Sequence, residues 1–597
     1  MKIPGLKDRK YNCGQLRGAN IGERVILMGW IDNLRELGGA LFLDLRDRYG
    51  ITQVVFSKEK DANLLQKVQR FSREDVIAVE GTVLSRQGNV TDKISTGEIE
   101  LEALDVNRFS ESQTTPFPIK DEISSNISTR LKYRYLDLRR NPLQNKIIKR
   151  SQISHYLRSF LFNNNFLEIE TPFMVKNTPG GARNFIVPSR LNPGKFYSLA
   201  ESPQIYKQLL MVSGFDRYYQ IAKCFRDEDP RQDRQMEFTQ IDLELSFADM
   251  DDVMEFVEKM FLDLWSKLNL EFEESDFPRM TWQQAMDKYG TDKPDTRFGL
   301  EHFLLNDFSR NCGVGILEKS VKSGNLVKGI KVPGGSSKFS RKNIDQLTSF
   351  VKKEDIGGAK GLIWLKVEEN KLKGSVSKFI SQEKQTELIN FFKAEPGDII
   401  FIITDKPSNT HKIMDNLRRK LAKDLELINP DKYSSLWVTY FPMFEKNEEG
   451  AWTSSHHPFT HPAAEDIDLL GTENQGEIKS LAYDLVINGN EIGGGSVRIH
   501  DSELQSKVFA ALGISPEKQQ ELFGFLLEAF KYGVPPHAGF AGGLDRLAMV
   551  ITQAQSLRDV IAFPKTVTGI EPMSGAPSFV EKRYTKELGI DIKPSLQ

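Results

Sequence analysis

Residues 225–247 read FRDEDPRQDRQMEFTQIDLELSF, and the second half of this stretch decides the fold. Taken as a strand, its side chains alternate between two faces with period two. Phe238, Gln240, Asp242, Glu244 and Ser246 fall on one face, and Thr239, Ile241, Leu243, Leu245 and Phe247 on the other. The second set is apolar and predicts a core face; the first is polar and carries one aromatic. The preceding run, Tyr218 to Phe225 (YYQIAKCF), predicts a partner strand. The loop between the two holds Arg226, Asp227, Glu228, Asp229, Arg231, Asp233 and Arg234. Arginine forks bind phosphate oxygens bidentately and carboxylates can hold magnesium, so the loop suits a triphosphate. Standing alone, a charge-rich hairpin is more often a solvated one laced with surface ion pairs.

It does not stand alone. FLEIETP (166–172) precedes it and GGLDRL (542–547) follows, with SPQIYKQLL (202–210) and GGGSVRI (493–499) between and beyond. In this order the three principal stretches resemble motifs 1, 2 and 3 of the class II aminoacyl-tRNA synthetases, in their aspartyl, bacterial-type form. The resemblance runs from about residue 8 to about residue 575. It implies an α+β multidomain chain. Residues 1–110 would be an OB-fold anticodon-binding barrel and 111–140 a hinge. Residues 141–297 and 426–565 would be two parts of an antiparallel-sheet catalytic domain, split by an α/β insertion domain at 298–425. Residues 566–597 would be a C-terminal extension.

The bulk properties agree with such a chain. At 597 residues it needs several cores. A hydrophobic content of 39% and a charged content of 27% describe a globular protein. The net charge of −2 supplies no global field for nucleic acid, so RNA contacts must come from local patches. Cys13, Cys224 and Cys312 are too scattered for a disulfide framework or a CxxC zinc site. The N-terminal MKIPGLKDRKYN has no apolar signal core, which predicts a cytoplasmic protein without membrane contact.

Near the N-terminus, five runs predict strands: 24–32, 40–47, 52–58, 75–85 and 97–106, with a helix near 59–71. Five strands and one helix fit an OB barrel. Leu41, Leu43 and Leu45 should point inward and Phe42, Asp44 and Arg46 outward. An outward Phe42 beside Arg35, Arg46, Arg48 and Gln53 is either a base-stacking platform or a plain surface aromatic. The resemblance favours the platform and assigns Arg35, Phe42 and Gln53 to anticodon contact. Leu37 matches enzymes restricted to aspartate tRNA, where a His accompanies relaxed ones; Glu36 stands where Asp is usual. RLKYRYLDLRR (130–140) is basic and tyrosine-rich, and either touches RNA or covers a helix. Ile153, Tyr156, Leu157, Phe160 and Leu161 follow helical spacing; with FLEIETP, the resemblance makes this a homodimer interface.

The resemblance also distributes roles around the catalytic domain. Gln204 and Lys207, at helical i and i+3, hold the substrate L-aspartate together with Arg226, Asp242, His456, His457 and Arg498. ATP is held by Arg226, Asp227, Glu228, Gln235, Phe238, Glu491, Gly543, Leu544, Asp545 and Arg546. Asp484 and Glu491 are carboxylates suited to Mg2+, and Arg226, Glu491 and Arg546 carry the catalysis. Gly180, where bacterial relatives carry Glu, and Asn184, where they carry Asp, alter a loop expected to close over aspartate. His456, His457 and His461 lie close in SSHHPFTHP (454–462), but no matching second cluster completes a zinc site, so no zinc is expected. His302 and His411 are read as plain surface or core histidines.

The reaction so implied is aspartate activation by ATP, then transfer to the 3′ end of tRNA(Asp). Relaxed charging of tRNA(Asn) as well is the alternative. Two rivals remain. One is an enzyme of the same subclass that activates asparagine or lysine, of which lysine conflicts with cationic Lys207 and Arg498. The other differs in kind, an RNA-binding protein without catalysis, and conflicts with intact Arg226, Glu491 and Arg546.

Overall fold

The computed structural model describes residues 5–87, 90–178, 183–274 and 276–593. Contacts divide the chain into two units. One comprises 1–148, 558–566 and 570–578; the other comprises 149–557, 567–569 and 579–597.

The first unit is built on a closed five-stranded barrel in the order 24–37, 40–47, 50–57, 99–110, 76–85. Alternating apolar residues fill it: Leu27 and Ile31 meet Leu43, Leu45, Val54, Phe56, Ile77, Val79 and Leu101. The expected helix runs over Ala62–Val68, capped by Asp61, whose carboxylate accepts from the amides of Asn63 and Leu64. The first two strands meet at Leu37–Gly38–Gly39–Ala40. Gly38 and Gly39 have φ of 61° and 83°, the positive values that a two-residue hairpin turn requires. The turn leaves Leu37 74% exposed.

Two expectations change here, and one open reading narrows. Arg46 is not outward: it is buried, with its NH2 on both oxygens of Glu74 at 2.8 and 2.9 Å and its NH1 on Asp32. Gln53 is only 4% exposed; its amide donates to Glu100 at 3.0 Å and accepts from Arg86 at 2.8 Å. In the basic stretch after the linker, Arg134 and Arg140 turn inward onto buried Asp137 rather than out to RNA. Arg134 also donates to the carbonyls of Arg558, Ile561 and Ala562, all within this unit.

The second unit is organised on an eight-stranded sheet in the order 279–281, 435–439, 482–487, 490–497, 537–543, 237–246, 217–225, 167–168. It is antiparallel except at its two margins. Thr239, Ile241, Leu243 and Leu245 face the core as their alternation predicts. The strand ends at Ser246. Phe247 has a φ of 57° and is 73% exposed, so it leaves the core face assigned to it. Helix Met250–Lys267 covers the apolar side with Val253, Val257, Phe261 and Leu264, and its N-terminus is closed by a capping box between Asp249 and Asp252. In helix Asn141–Asn163, Ile153, Leu157 and Leu161 are buried at i, i+4, i+8.

Residues 302–405 add a separate five-stranded sheet in the order 302–304, 326–332, 399–405, 363–368, 371–374. Its strand Ile399–Asp405 is apolar on both sides. Ile399, Phe401 and Ile403 join a core under helices 341–351 and 407–424. Ile400 and Ile402 join another under helices 315–322 and 382–391. Lys328 is fully buried and donates to the carbonyls of Met286 and Asp287 and to His411 Nδ1 at 3.0 Å. Burial and then Lys328 push His411 down to about 4. His302 is buried, in keeping with a core histidine.

A base whose folded pKa is depressed loses stability as acid protonates the unfolded chain first. Unfolding stability is therefore expected to fall between the ordinary histidine value of 6.5 and about 4, in part through His411. Urea midpoints measured across that window for wild type and His411→Gln check this: the variant's pH slope should be flatter.

Candidate active site

The strand register assembles the site. Gln220 pairs with Asp242, Asp242 with Ala541, Ala541 with Gly494, and Gly494 with Asp484. The next row runs Glu244, Gly539, Ser496, Ala482. Cross-strand partners share a face, so this face has carboxylates on its flanks and only Gly, Ala or Ser along its middle: a trough. A Cβ on Gly539 would lie 1.9 Å from Glu244 Oε2 and 2.4 Å from the Leu243 carbonyl. One on Gly494 would lie 2.1 Å from Asp484 Oδ1. These glycines are required by close approach.

One flank is a buried ionic network. Lys207, on helix Gln204–Val212, places its Nζ 3.0 Å from Asp242 and 3.4 Å from Glu244. Arg498 clamps Glu244 bidentately at 2.8 and 3.1 Å, and its NH1 donates to Ser496 Oγ at 2.6 Å and His457 Nε2 at 2.9 Å. All four charged groups are within 1% of full burial. Burial raises the Asp242 carboxyl against the pull of Lys207. Burial would also raise Glu244, but Arg498 and Lys207 outweigh it and hold it below the ordinary carboxylate value. Asp242 Oδ2 has no hydrogen-bond partner among the described residues. Burial and then Arg498 drive His457 far below the usual histidine range, keeping it neutral.

Above the network lies a cavity of about 340 Å³, lined among others by Glu201, Gln204, Arg226, Glu228, His456 and His457. Arg226 opens the motif 2 loop; its backbone amide is tied to the Met236 carbonyl at 2.8 Å and its guanidinium lies 5.0 Å over the Phe238 ring. Its Nε is buried and unpartnered among the described residues. Asp227 pairs with Arg183 at 3.0 Å, and Glu228 with Arg234 at 2.6 Å. Gln235 is buried, donating to the Arg234 carbonyl at 3.4 Å.

The other flank is acidic. A register shift at Leu485/Val486 separates the pairing of Asp484 from that of Glu491. Burial and then the Asp484 charge push the Glu491 carboxyl up. Asp484 sits 3.5 Å from His456 Nε2 and, against the effect of burial, raises that histidine. Arg546 donates to the Glu491 carbonyl at 2.6 Å and keeps its side chain 3.7 Å from the Glu491 carboxylate; Lys293 lies 3.9 Å away. Two carboxylates that repel each other, with cations at their edge, are a donor set that fits a magnesium ion.

The structure thus brings together Gln204, Arg226, Glu228, His456 and His457 around one cavity, with Lys207, Asp242 and Arg498 beneath it. It changes other assignments. The Arg498 fork closes on Glu244 instead of lying open. Asp545 is no open nucleotide contact: Arg150 holds its Oδ1 at 2.7 and 2.8 Å, and the Thr239 amide donates to its Oδ2 at 2.8 Å. Leu544 is buried, leaving only its backbone for a ligand, and Gly543 closes the strand beside Arg546. His461 is separated from the other two histidines and stacks on His500. Asn184 lines the cavity and bonds Asn177 Oδ1 at 3.1 Å, while Gly180 lies outside the described residues. Glu244, Arg150 and Lys293 had no assigned role. Glu244 alone left a signal, two places from Asp242 on the same strand face.

Residues 126–567 match the family of class II tRNA synthetases (D, K and N). The chain belongs to that family. Residues 25–108 match the OB-fold nucleic acid binding domain. The aspartate--tRNA(Asp/Asn) ligase of Caldanaerobacter subterraneus subsp. tengcongensis is 48% identical over 593 residues, 99% of each chain. The aspartate--tRNA ligase of Ruminiclostridium cellulolyticum is 47% identical over 597 residues, again 99% of each. Among solved structures, a putative aspartyl-tRNA synthetase from Leishmania major shares the fold with a TM-score of 0.60 at 20% identity, covering 94% of this chain and 95% of that one. Asparaginyl-tRNA synthetase from Pyrococcus horikoshii, with asparaginyl-adenylate, does so at 0.58 and 17%, covering 94% and 98%. The antiparallel class II sheet and the OB barrel are the architecture expected of this synthetase.

Gly539→Ala is expected to push Glu244 off Arg498 and to destabilise the protein by about 1–3 kcal/mol through overpacking. Thermal unfolding of the variant checks this.

Proposed function

We propose that this synthetase activates L-aspartate with ATP to aspartyl-adenylate and transfers it to the 3′ end of tRNA(Asp). Full-length identity near 48% with curated aspartate ligases carries the reading. Buried Lys207 and Arg498 support it, because they suit an anionic side chain better than a cationic one. The substrate ammonium meets the free oxygen of Asp242 and the amide of Gln204. The side-chain carboxylate accepts from Lys207 and from Arg498 NH1, replacing neutral His457 Nε2 as the acceptor of one NH1 proton. Arg226 neutralises charge at the α-phosphate as the α-carboxylate attacks in line. Phe238 offers its face to adenine, and Glu228 and Gln235 hold the nucleotide. Arg546 binds the leaving phosphates. Magnesium on Asp484 and Glu491, when bound, supplies further neutralisation of the pyrophosphate.

The barrel reads the anticodon through Phe42 and Arg35, cross-strand partners on one face. Arg35 is braced by Asp44 at 3.2 Å. No helix among the described residues is long and apolar enough to cross a membrane. A homodimer forms through helix 141–163 and residues 166–172, where Phe162 and Leu167 are exposed.

Pyrophosphate exchange with each of the twenty amino acids tests the reading, with aspartate expected to give the dominant signal; a different preferred amino acid overturns it. In the same assay Arg498→Lys, which keeps the charge but loses the fork, should lower aspartate-dependent kcat/KM by roughly 2–4 kcal/mol of transition-state stabilisation. ATP affinity should be unchanged.

Relatives named aspartate--tRNA(Asp/Asn) ligase and aspartate--tRNA ligase stand at 48% and 47% identity, so the second reading, relaxed charging, turns on the barrel. Leu37, apolar and at the tip of the hairpin, offers no hydrogen bond to a base. Charging of purified asparagine tRNA should therefore fall well below that of aspartate tRNA, since one base contact contributes about 1–3 kcal/mol. Equal efficiency on both would identify a relaxed enzyme.

A further inference from the structure

The chain's charge is unevenly distributed. Residues 298–425 carry 23 Lys and Arg against 15 Asp and Glu, a net of +8 within a chain of net −2. Part of this excess lines one face of the five-stranded sheet. Two adjoining cavities of about 590 and 720 Å³ follow helices 341–351 and 407–424 and share Gln346 and Lys420. Lys338, Arg341, Lys342, Lys353 and Lys420 edge them; Phe339 and Leu347 floor the first and Phe350 the second. The acidic residues there are Asp345, Asp424 and Glu426. Arg341 takes Asp345 at 3.4 Å and Lys420 takes Asp424 at 2.5 Å. Lys338, Lys342 and Lys353 have no ionic partner among the described residues, and all three are exposed. Arg341 also lies 5.8 Å over the Trp364 ring.

Unpaired lysines along a groove, on a segment more basic than the rest of its chain, are the electrostatic footprint of a phosphodiester backbone. We propose that this groove is a second RNA-binding surface, contacting the backbone of the RNA whose anticodon meets the barrel. That the RNA is the substrate tRNA rests on the function proposed above. The contact is sequence-independent: lysines act as point charges on phosphates and release counterions, so it contributes affinity and salt dependence rather than choice of tRNA.

The test is the triple charge reversal K338E/R341E/K342E in the full-length enzyme. A matched control, K319E/K322E/K378E, lies on the opposite side of the sheet, where helix 315–322 and Ile380 cover the other core. The groove variant should keep tRNA-independent pyrophosphate exchange within about twofold of wild type. Its KM for tRNA should rise about tenfold, and the slope of log affinity against log salt should become shallower by about 2. The control should leave all three unchanged. If the reversal does not fold, K338Q/R341Q/K342Q repeats the test with a smaller shift in the same direction. An unchanged KM and salt slope in the groove variant, or an equal loss in the control, overturns the proposal. Failure of the wild type to charge any tRNA would instead fall on the assigned activity. The groove is then decided by filter binding of a plain RNA duplex, wild type against the groove variant.

Discussion

Four charges shut away from water hold the catalytic face together. Lys207 comes from a helix, Asp242 and Glu244 from one strand, and Arg498 from the residue just past another. Each would be prohibitively costly to bury alone. Together they neutralise one another, and the geometry that permits this is narrow: Arg498 must present its fork edge-on to Glu244, and Lys207 must reach both carboxylates. The glycine at 539 follows from the same arrangement, because a methyl group there would occupy the space of the Glu244 oxygen. The polar face is thus polar in composition but almost dry, and one oxygen of Asp242 is left without a partner among the described residues.

This explains which parts of the chain were legible in its sequence. Alternation along Thr239–Leu245 identified the core face, and the same alternation in Leu41, Leu43 and Leu45 identified the barrel interior. Both depend on local periodicity, which burial enforces directly. Charged residues are different, because their environment depends on partners far along the chain. Glu244 and Arg498 are 254 residues apart, and Arg150 and Asp545 are 395 apart. Arg46, Arg134 and Gln53 are misleading for the same reason: nothing nearby in sequence announces Glu74, the carbonyls of Arg558, Ile561 and Ala562, or Glu100. Phe247 was lost to a different cause, a positive φ that ends the strand one residue earlier than its pattern suggests.

The insertion sheet shows a second way of placing charge. Strand 399–405 buries both faces, so each side of the sheet has its own helices and its own core. The segment does not borrow apolar surface from the catalytic sheet to fill either core. Its surface composition is consequently free to differ from the rest of the chain, and it does, toward lysine.

Asp545 has a final implication. One of its oxygens is fixed by Arg150 of helix 141–163 and the other by the Thr239 amide at the start of the motif 2 strand. Arg546 is the next residue in the chain. Arg546 is therefore aligned by the same bracket that fastens helix 141–163 to strand 237–246. A displacement of helix 141–163 is transmitted through a single ion pair and a single peptide bond to Arg546.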